Sequence, residues 1–402
     1  MLNSGLYALP GHMDGGKLMA NLWMDPQWLE RMREVVDRPA DEVVADVIDT
    51  QGLKAFNAML KELVNNRHEI PDALPKRVRD FFQETQVLPE WADTEKITQG
   101  EKVFILHGPE MIAMLFFVSL PTAYGMAKGS HVLAITAELT QHVHRRIFRT
   151  AQFITDVMQP GGLGPEGRGI RSAQKLRLLH ASIRHYIAHH SDWNAKWNPA
   201  WGQPINQEDM ASTLMDFSVG VIRGMQRIKV TLTAEEAEAY YHTWRVVGHI
   251  LGIQPALLPE TVKESGELAD AILDHQVGTG EAGQTLTQHL IQFMQGFMPR
   301  PLWGLPAVAI RYLSGDRIAN AIKSGPYNWT LIFLYVQIML LRLLENFTHS
   351  HPRSQKYIRF LFWNLMDKVV LYEEGGEFYF DIPPELRNQW HLQPQTSKPH
   401  PR

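Results

Sequence analysis

The residues best placed to do chemistry cluster around His180. It lies at the edge of an apolar stripe formed by Leu176, Leu179, Ile183 and Ile187, with Arg177 three residues before it and Arg184 four residues after. On a helix these spacings stack the three polar side chains on one flank. Two guanidiniums beside an imidazole disfavour its protonation and keep a nitrogen lone pair free for a metal. The same cations suit an anionic cofactor. A hydrogen-bonded core histidine has the same surroundings, so both readings stay open from spacing alone.

A second anomaly lies upstream. Leu139, Val143, Arg146, Thr150, Phe153 and Val157 fall at the spacing of one buried helical stripe. An arginine in such a stripe needs an anionic partner, a polar cavity, or room for its head group to reach water. Other candidates carry less. His185 and His189 could meet a metal from one helix face, and Glu138 and His142 share the same four-residue spacing, but neither pair belongs to a longer ligand pattern. The glycine-rich stretch 161–169 lacks the Lys-Ser/Thr and the preceding strand of a phosphate loop, and reads as a connection.

Composition narrows the chemistry further. The 402 residues include 18 histidines and no cysteine. Disulfides, thiolate nucleophiles, thiolate metal sites and covalent haem attachment through C-x-x-C-H are therefore excluded. The formal charge of −4 argues against nucleic acid as a partner. No basic and apolar leader opens the sequence, so a cytoplasmic location is expected by default. The apolar runs 111–127 and 329–341 fall short of the about 20 residues a membrane span needs and read as buried helices.

The elements that must carry these residues are almost all helical. Periodicity predicts helices over 26–36, 40–48, 53–66 and 75–84, then an apolar stretch over 100–127. One long helix is predicted over 132–158, a loop over 160–171, and a helix over 172–190. Further helices follow over 209–227, 233–252, 265–297, 304–323, 328–347 and 354–368. Residues 369–382 alternate around Gly375-Gly376 and predict a small hairpin, and the tail 389–402 has the composition of a disordered segment. The expected fold class is all-α with one C-terminal hairpin. The expected organisation is a helical extension over 1–88, a core over 89–320, and helices and hairpin packed on it over 321–388.

Several motifs in this order resemble one family. They are Pro89-x-Trp91-Ala92-Asp93, Ser119-Leu120-Pro121-x-x-Tyr124, Arg146-x-x-x-Thr150 and Arg177-Leu-Leu-His180-Ala181-x-x-Arg184. Trp193, Gly202-Gln-Pro204-Ile-Asn206-Gln207-Glu208-Asp209, Thr213, Phe217 and Trp244-Arg245-x-x-Gly248 follow. The chain is similar, most strongly from about residue 88 to 252, to the haem-dependent oxygenases that include latex clearing protein and the fungal MpaB oxygenase. The resemblance implies a globin-like helical core around non-covalent haem b. His180 falls on the iron-ligating histidine, Arg177 and Arg184 on its flanking arginines, and Arg146 and Thr150 on the pair near the oxygen site.

Two departures matter. Where the rubber-cleaving member carries a lysine that caps the iron, this sequence has Arg149, and a guanidinium does not ligate iron. The position of that member's proposed glutamate base stays open. Glu138 is the nearest acid, whereas an ungapped match lands on Ser130. The resemblance thus implies an oxygenase using dioxygen on a hydrophobic, unsaturated substrate such as a small isoprenoid or lipid. A non-catalytic haem or gas-binding protein and a haem-free helical lipid-binding protein are the alternatives. The oligomeric state is not legible in the sequence.

Overall fold

The structure, a computed structural model, describes residues 22–65, 74–136, 143–165 and 167–349, with the backbone alone for 53, 55, 57–65, 143–146, 148 and 341–349. The N-terminal part holds α1 (Pro26–Met32), α2 (Arg38–Asn65) and α3 (Lys76–Glu84). Next come α4 (Thr94–Met114), a π-helical turn (Leu115–Ser119), α5 (Leu120–Gly125), α6 (Ser130–Ile135), α7 (Val143–Met158) and α8 (Arg168–His189). After α9 (Ser191–Asn194) the chain forms α10 (Gln207–Phe217), α11 (Val219–Arg227), α12 (Ala234–Ile250), α13 (Val262–Gln276) and α14 (Glu281–Gln295). It closes with α15 (Leu305–Ser314), α16 (Asp316–Ala321) and α17 (Thr330–His349). Among the described residues the only β pairing is an isolated bridge between Met126 and Val277. The fold class is all-α, and the expected hairpin at 369–382, the helix at 354–368 and the tail lie outside the described residues.

Two apolar cores meet at α8. The larger gathers Phe104, Met111, Met114, Leu214, Tyr241, Trp244, Val247 and Leu290, together with Trp28, Leu29 and Met32 of α1. The smaller joins Val43, Val44, Val47, Phe81 and Phe82 of α2 and α3 to Leu178, Ala181, Tyr186 and Ile187 of α8. Residues on both sides of position 88 therefore share cores.

α4 with the π turn and α5 forms a run, Thr94–Gly125, long and apolar enough to cross a membrane, but 61% of its most apolar window is buried in this fold. α17 departs from the expectation of a buried helix. Leu334 and Ile338 are buried, while Trp329, Ile332 and Met339 are exposed, because only one side of this apolar helix packs on α15.

Three boundaries differ from the sequence-based expectation, each for a local reason. The predicted helix over 132–158 is divided: α6 ends at Ile135, with Thr136 as its cap turning its hydroxyl back to the Leu133 carbonyl at 3.2 Å. The predicted helix over 209–227 breaks at Ser218 (φ −107°, ψ −91°), whose hydroxyl donates back to the Leu214 carbonyl at 2.7 Å. The loop over 160–171 ends early, since α8 begins at Arg168. Its glycines serve close packing: the Gly169 N–H donates to the Gly162 carbonyl at 2.8 Å, and a Cβ on Gly169 would lie 2.8 Å from Val157 Cα. The backbone N–H groups of Gly161 and Gly162 turn to the buried carboxylate of Glu101 rather than to a phosphate.

The 89–93 motif has a structural task. Asp93 caps α4, accepting from the N–H groups of Glu95 and Lys96, while its own N–H donates to Nε2 of His242 at 2.9 Å. Arg245 lies over the Trp91 ring at 4.1 Å, completing the join to α12. Burial, aided by Lys96 and Arg245, pushes the His242 imidazole down to about 4. The fold therefore holds His242 neutral while the unfolded chain takes up a proton near the ordinary value of 6.5. The resulting stability is complete above pH 6.5 and is lost as pH falls from there towards 4. At pH 5 we expect a loss of about 1–2 kcal/mol relative to pH 7.5. His242→Gln should flatten that part of the stability profile in urea titrations, and an unchanged profile would contradict the assignment.

Candidate functional site

α8 presents different chemistry on its two sides. Arg177 and Arg184 are seven residues apart and point almost the same way, while His180 lies about 40–60° further round the helix. Arg177 forms a two-pronged ion pair with Asp37, Nε to Oδ2 at 2.5 Å and Nη2 to Oδ1 at 2.8 Å. Arg184 Nε donates to Asp41 at 2.7 Å, and its Nη1 donates to the Ile205 carbonyl at 3.2 Å. Asp37 and Asp41 stand one turn apart at the start of α2, so two parallel bridges hold α2 to the back of α8. Burial raises the Asp41 carboxyl, and Arg184 opposes that shift. Gly252 (φ +81°) seals the first bridge, since a Cβ there would lie 2.7 Å from the Arg177 guanidinium and 2.8 Å from Asp37.

The other side of α8 lines a cavity of about 350 Å³, within the range of about 300–1,000 Å³ typical of small-molecule sites. Arg168, Arg171, Ser172, Lys175, Leu176, Leu179, His180 and Ile183 form one unbroken stripe of three- and four-residue steps on its wall. α7 contributes Arg149, Thr150, Gln152, Phe153 and Asp156. The Ser119–Tyr124 segment, Met210, Leu214, Phe217 and Trp244 supply much of the apolar remainder. Phe217 stacks on Trp244 with ring centres 5.6 Å apart, fixing the aromatic floor. Asp156 accepts from Gln152 at 2.8 Å and from Ser172 at 2.7 Å, linking α7 to α8 beside the cationic residues.

The sequence-derived candidates fare differently. His180 and Thr150 line the cavity together. Arg177 and Arg184 do not; they are held by carboxylates of α2 on the other side of α8. The cationic residues on the cavity wall are Arg149, Arg168, Arg171 and Lys175. Arg168 and Arg171 escaped the sequence reading because it began the helix at Ser172. The unbroken period from 168 to 183 was the signal that could have found them.

Glu138 lies outside the described residues, as does the side chain of Arg146, whose backbone sits one turn before Thr150 on α7. Ser130 is buried, but it does not line the cavity; its hydroxyl lies near Gly283 of α14.

The 202–209 motif is a clamp. Arg33 is fully buried and bonds Glu208 at 3.1 Å, Asp209 at 2.8 Å and the Trp201 carbonyl at 2.6 Å. Glu208 also receives His275 at 2.6 Å and the Gln276 amide. Gly202 (φ +76°) passes over Arg33 where a Cβ would lie 2.8 Å from its backbone oxygen. Burial raises the Asp209 carboxyl, with Arg33 opposing. This network ties α1, α10 and α13 together and brings Asp209 and Met210 to the cavity wall.

The fold and site define an all-α protein with an apolar ligand cavity on whose wall His180 is the single imidazole among the described residues. The model of the catalytic-domain family described as ER-bound oxygenase mpaB/B′/rubber oxygenase matches residues 107–341, and the chain belongs to that family. It is an oxygenase. Among curated proteins it is similar to the rubber oxygenase of Streptomyces sp. (strain K30), with 28% identity over 312 residues covering 74% of this chain and 72% of that one. Among solved structures its fold matches latex clearing protein in the closed state, with a TM-score of 0.64, 24% identity and 89% of each chain covered.

Removing one partner of a buried ion pair costs about 3–5 kcal/mol because the other charge stays behind. Arg177→Met should therefore lower the unfolding free energy by about that amount, and adding Asp37→Leu should recover most of it. Arg168→Ala, at an exposed position, should change stability by no more than about 0.5 kcal/mol. Urea titrations of the four proteins would contradict the clamp if Arg177→Met were as mild as Arg168→Ala.

Proposed function

We propose that this oxygenase uses haem b, held through His180, to oxidise a hydrophobic unsaturated substrate of the isoprenoid or lipid class with dioxygen. The observation that carries the reading is the donor set of the cavity. Among the described residues His180 is its one imidazole, and no group of three or more metal-binding side chains occurs. A lone imidazole suits an iron whose remaining protein-independent ligands would come from a macrocycle. The apolar wall suits the porphyrin face and the substrate. The cationic run of Arg168, Arg171 and Lys175, about one and a half to three turns before His180, suits the macrocycle's carboxylates.

When bound, the haem would supply the activation of dioxygen that cleavage of a carbon–carbon double bond requires. The protein's part is positioning and a dry site. His180 fixes the cofactor from α8. Thr150 offers a hydroxyl and Arg149 a guanidinium on the cavity wall, and Arg146 is one turn before Thr150 along α7. Phe153, Phe217 and Trp244 orient an extended apolar chain and exclude water. Arg149 stands where the resemblance implies a capping lysine, and its guanidinium would not ligate the iron. We assign the carboxylate-pairing role to Arg168, Arg171 and Lys175, since Arg177 and Arg184 are engaged with Asp37 and Asp41.

Titration of the purified chain with hemin tests the reading. One equivalent should produce a Soret band that His180→Ala abolishes or shifts. Arg171→Gln and Lys175→Gln should each weaken hemin affinity by about tenfold, the effect of losing one charge-assisted hydrogen bond of about 1.5 kcal/mol. Arg149→Ala should leave the ferric spin state as in wild type. Loaded protein should consume oxygen when given an isoprenoid substrate. A chain that takes up no hemin would sink the proposal.

A further inference from the structure

Asp216 is a buried acid on the cavity wall that the proposed chemistry does not yet use. It stands near the C-terminal end of α10, one residue before Phe217, and is 7% exposed. Its backbone carbonyl accepts the Ser119 hydroxyl at 2.8 Å, which fixes this helix end against the π turn. The carboxyl is left out of that join. Its Oδ2 is shut off from solvent and has no hydrogen-bond partner among the described residues. Burial raises its pKa well above the ordinary carboxyl range. An ionised carboxylate without a partner is costly here, which favours the neutral form of the acid.

Two cavities meet at this side chain. A second one, of about 180 Å³, lies among α5, α10, α11, α13 and α15, and Met126, Ser212 and Asp216 line both. Its wall is more polar. Thr122, Ser314, Arg223, Arg227 and Asp270 line it. The Arg223–Asp270 ion pair is open to water, with side-chain exposures of 40% and 59%. On the main-cavity side the titratable and charged groups are His180, Arg168, Arg171 and Lys175 from α8. Arg149 and Asp156 come from α7, Asp209 from α10 and Tyr124 from α5. Asp216 thus stands in a partition between an apolar chamber and a polar one.

We propose that Asp216 is a proton-exchanging residue joining these two cavities, giving its proton to an oxygen atom in the main cavity and regaining one from water in the second. In the forward step the carboxyl O–H bond breaks and an O–H bond forms on the acceptor oxygen, leaving a carboxylate. A proton carried by water past Arg223, Arg227 and Asp270 then restores the acid. The proposal deepens the oxygenase reading given above and rests on it for the identity of the acceptor. It also places an acid on the cavity wall where Ser130 is turned towards α14.

Infrared spectroscopy of the full chain without added hemin tests the exchange apart from the haem reading. At pH 7 wild type should show the C=O stretch of a protonated carboxylic acid that Asp216→Asn lacks and Asp216→Glu retains. On transfer to deuterated water that band should shift promptly. Ser314→Leu, which fills the second cavity, should slow the shift about tenfold. His180→Ala should leave both results unchanged. In hemin-loaded protein Asp216→Asn should lower oxygen consumption by about 10²-fold, the usual contribution of a general acid. Hemin affinity should be unaltered, and Asp216→Glu should partly rescue. An ionised Asp216 or an exchange rate indifferent to Ser314→Leu would overturn the proposal. So would an Asp216→Asn protein that consumes oxygen at the wild-type rate with an unchanged pH profile. If no hemin binds, the infrared arms still decide the exchange.

Discussion

The structure depends on two buried ion pairs, Arg177 with Asp37 and Arg184 with Asp41. They fix the rotation of α8 about its own axis. Apolar contacts alone would tolerate a small roll of this helix, because leucines and isoleucines lie on both sides of it. Two guanidiniums seven residues apart, each matched to a carboxylate on one turn of α2, do not. A roll that broke either pair would strand a charge in the protein interior. With that rotation set, the stripe from Arg168 to Ile183 faces the cavity and His180 has one orientation towards it. The bridges thus act on the site from behind, without touching whatever occupies it.

The cavity shows the same division between holding and reacting. Arg33, wholly buried with Glu208 and Asp209, sets the position of α10. The Ser119 hydroxyl joins the end of α10 to the π turn. π turns inside helices are frequent at functional sites, and here the turn brings Ser119, Leu120 and Tyr124 to the cavity wall. Most polar groups near the cavity are spent on fixing helices. His180, Thr150, the cationic stripe and Asp216 are where the wall offers chemistry.

Much of this was legible in the sequence. The helical class followed from periodicity, and the ordered motifs pointed to the family that the matching catalytic-domain model establishes. His180 and Thr150, both singled out by their spacing, line one cavity. What the sequence hid were the partners. Spacing placed Arg177 and Arg184 near His180, but it could not show that Asp37 and Asp41, about 140 residues away, would claim them. Helix spacing is local, whereas the choice between a cofactor and a carboxylate is made by tertiary packing. The kink at Ser218 was invisible for a related reason. A serine's return bond to its own helix becomes a break only when neighbouring helices fix both halves. Asp216 lies beside that kink, and nothing in its local sequence distinguishes it from an exposed acid.

In the proposed reading α8 offers His180, rather than its flanking arginines, to the iron of a bound haem. Diffraction from crystals of the hemin-loaded chain, measured at the iron absorption edge, tests it most directly. One strong anomalous peak is expected within bonding distance of a ring nitrogen of His180, with the macrocycle's carboxylates directed to Arg168, Arg171 and Lys175. The Arg177–Asp37 and Arg184–Asp41 pairs should remain intact. An iron peak on another histidine, or carboxylates paired with Arg177 and Arg184 in place of Asp37 and Asp41, would contradict it.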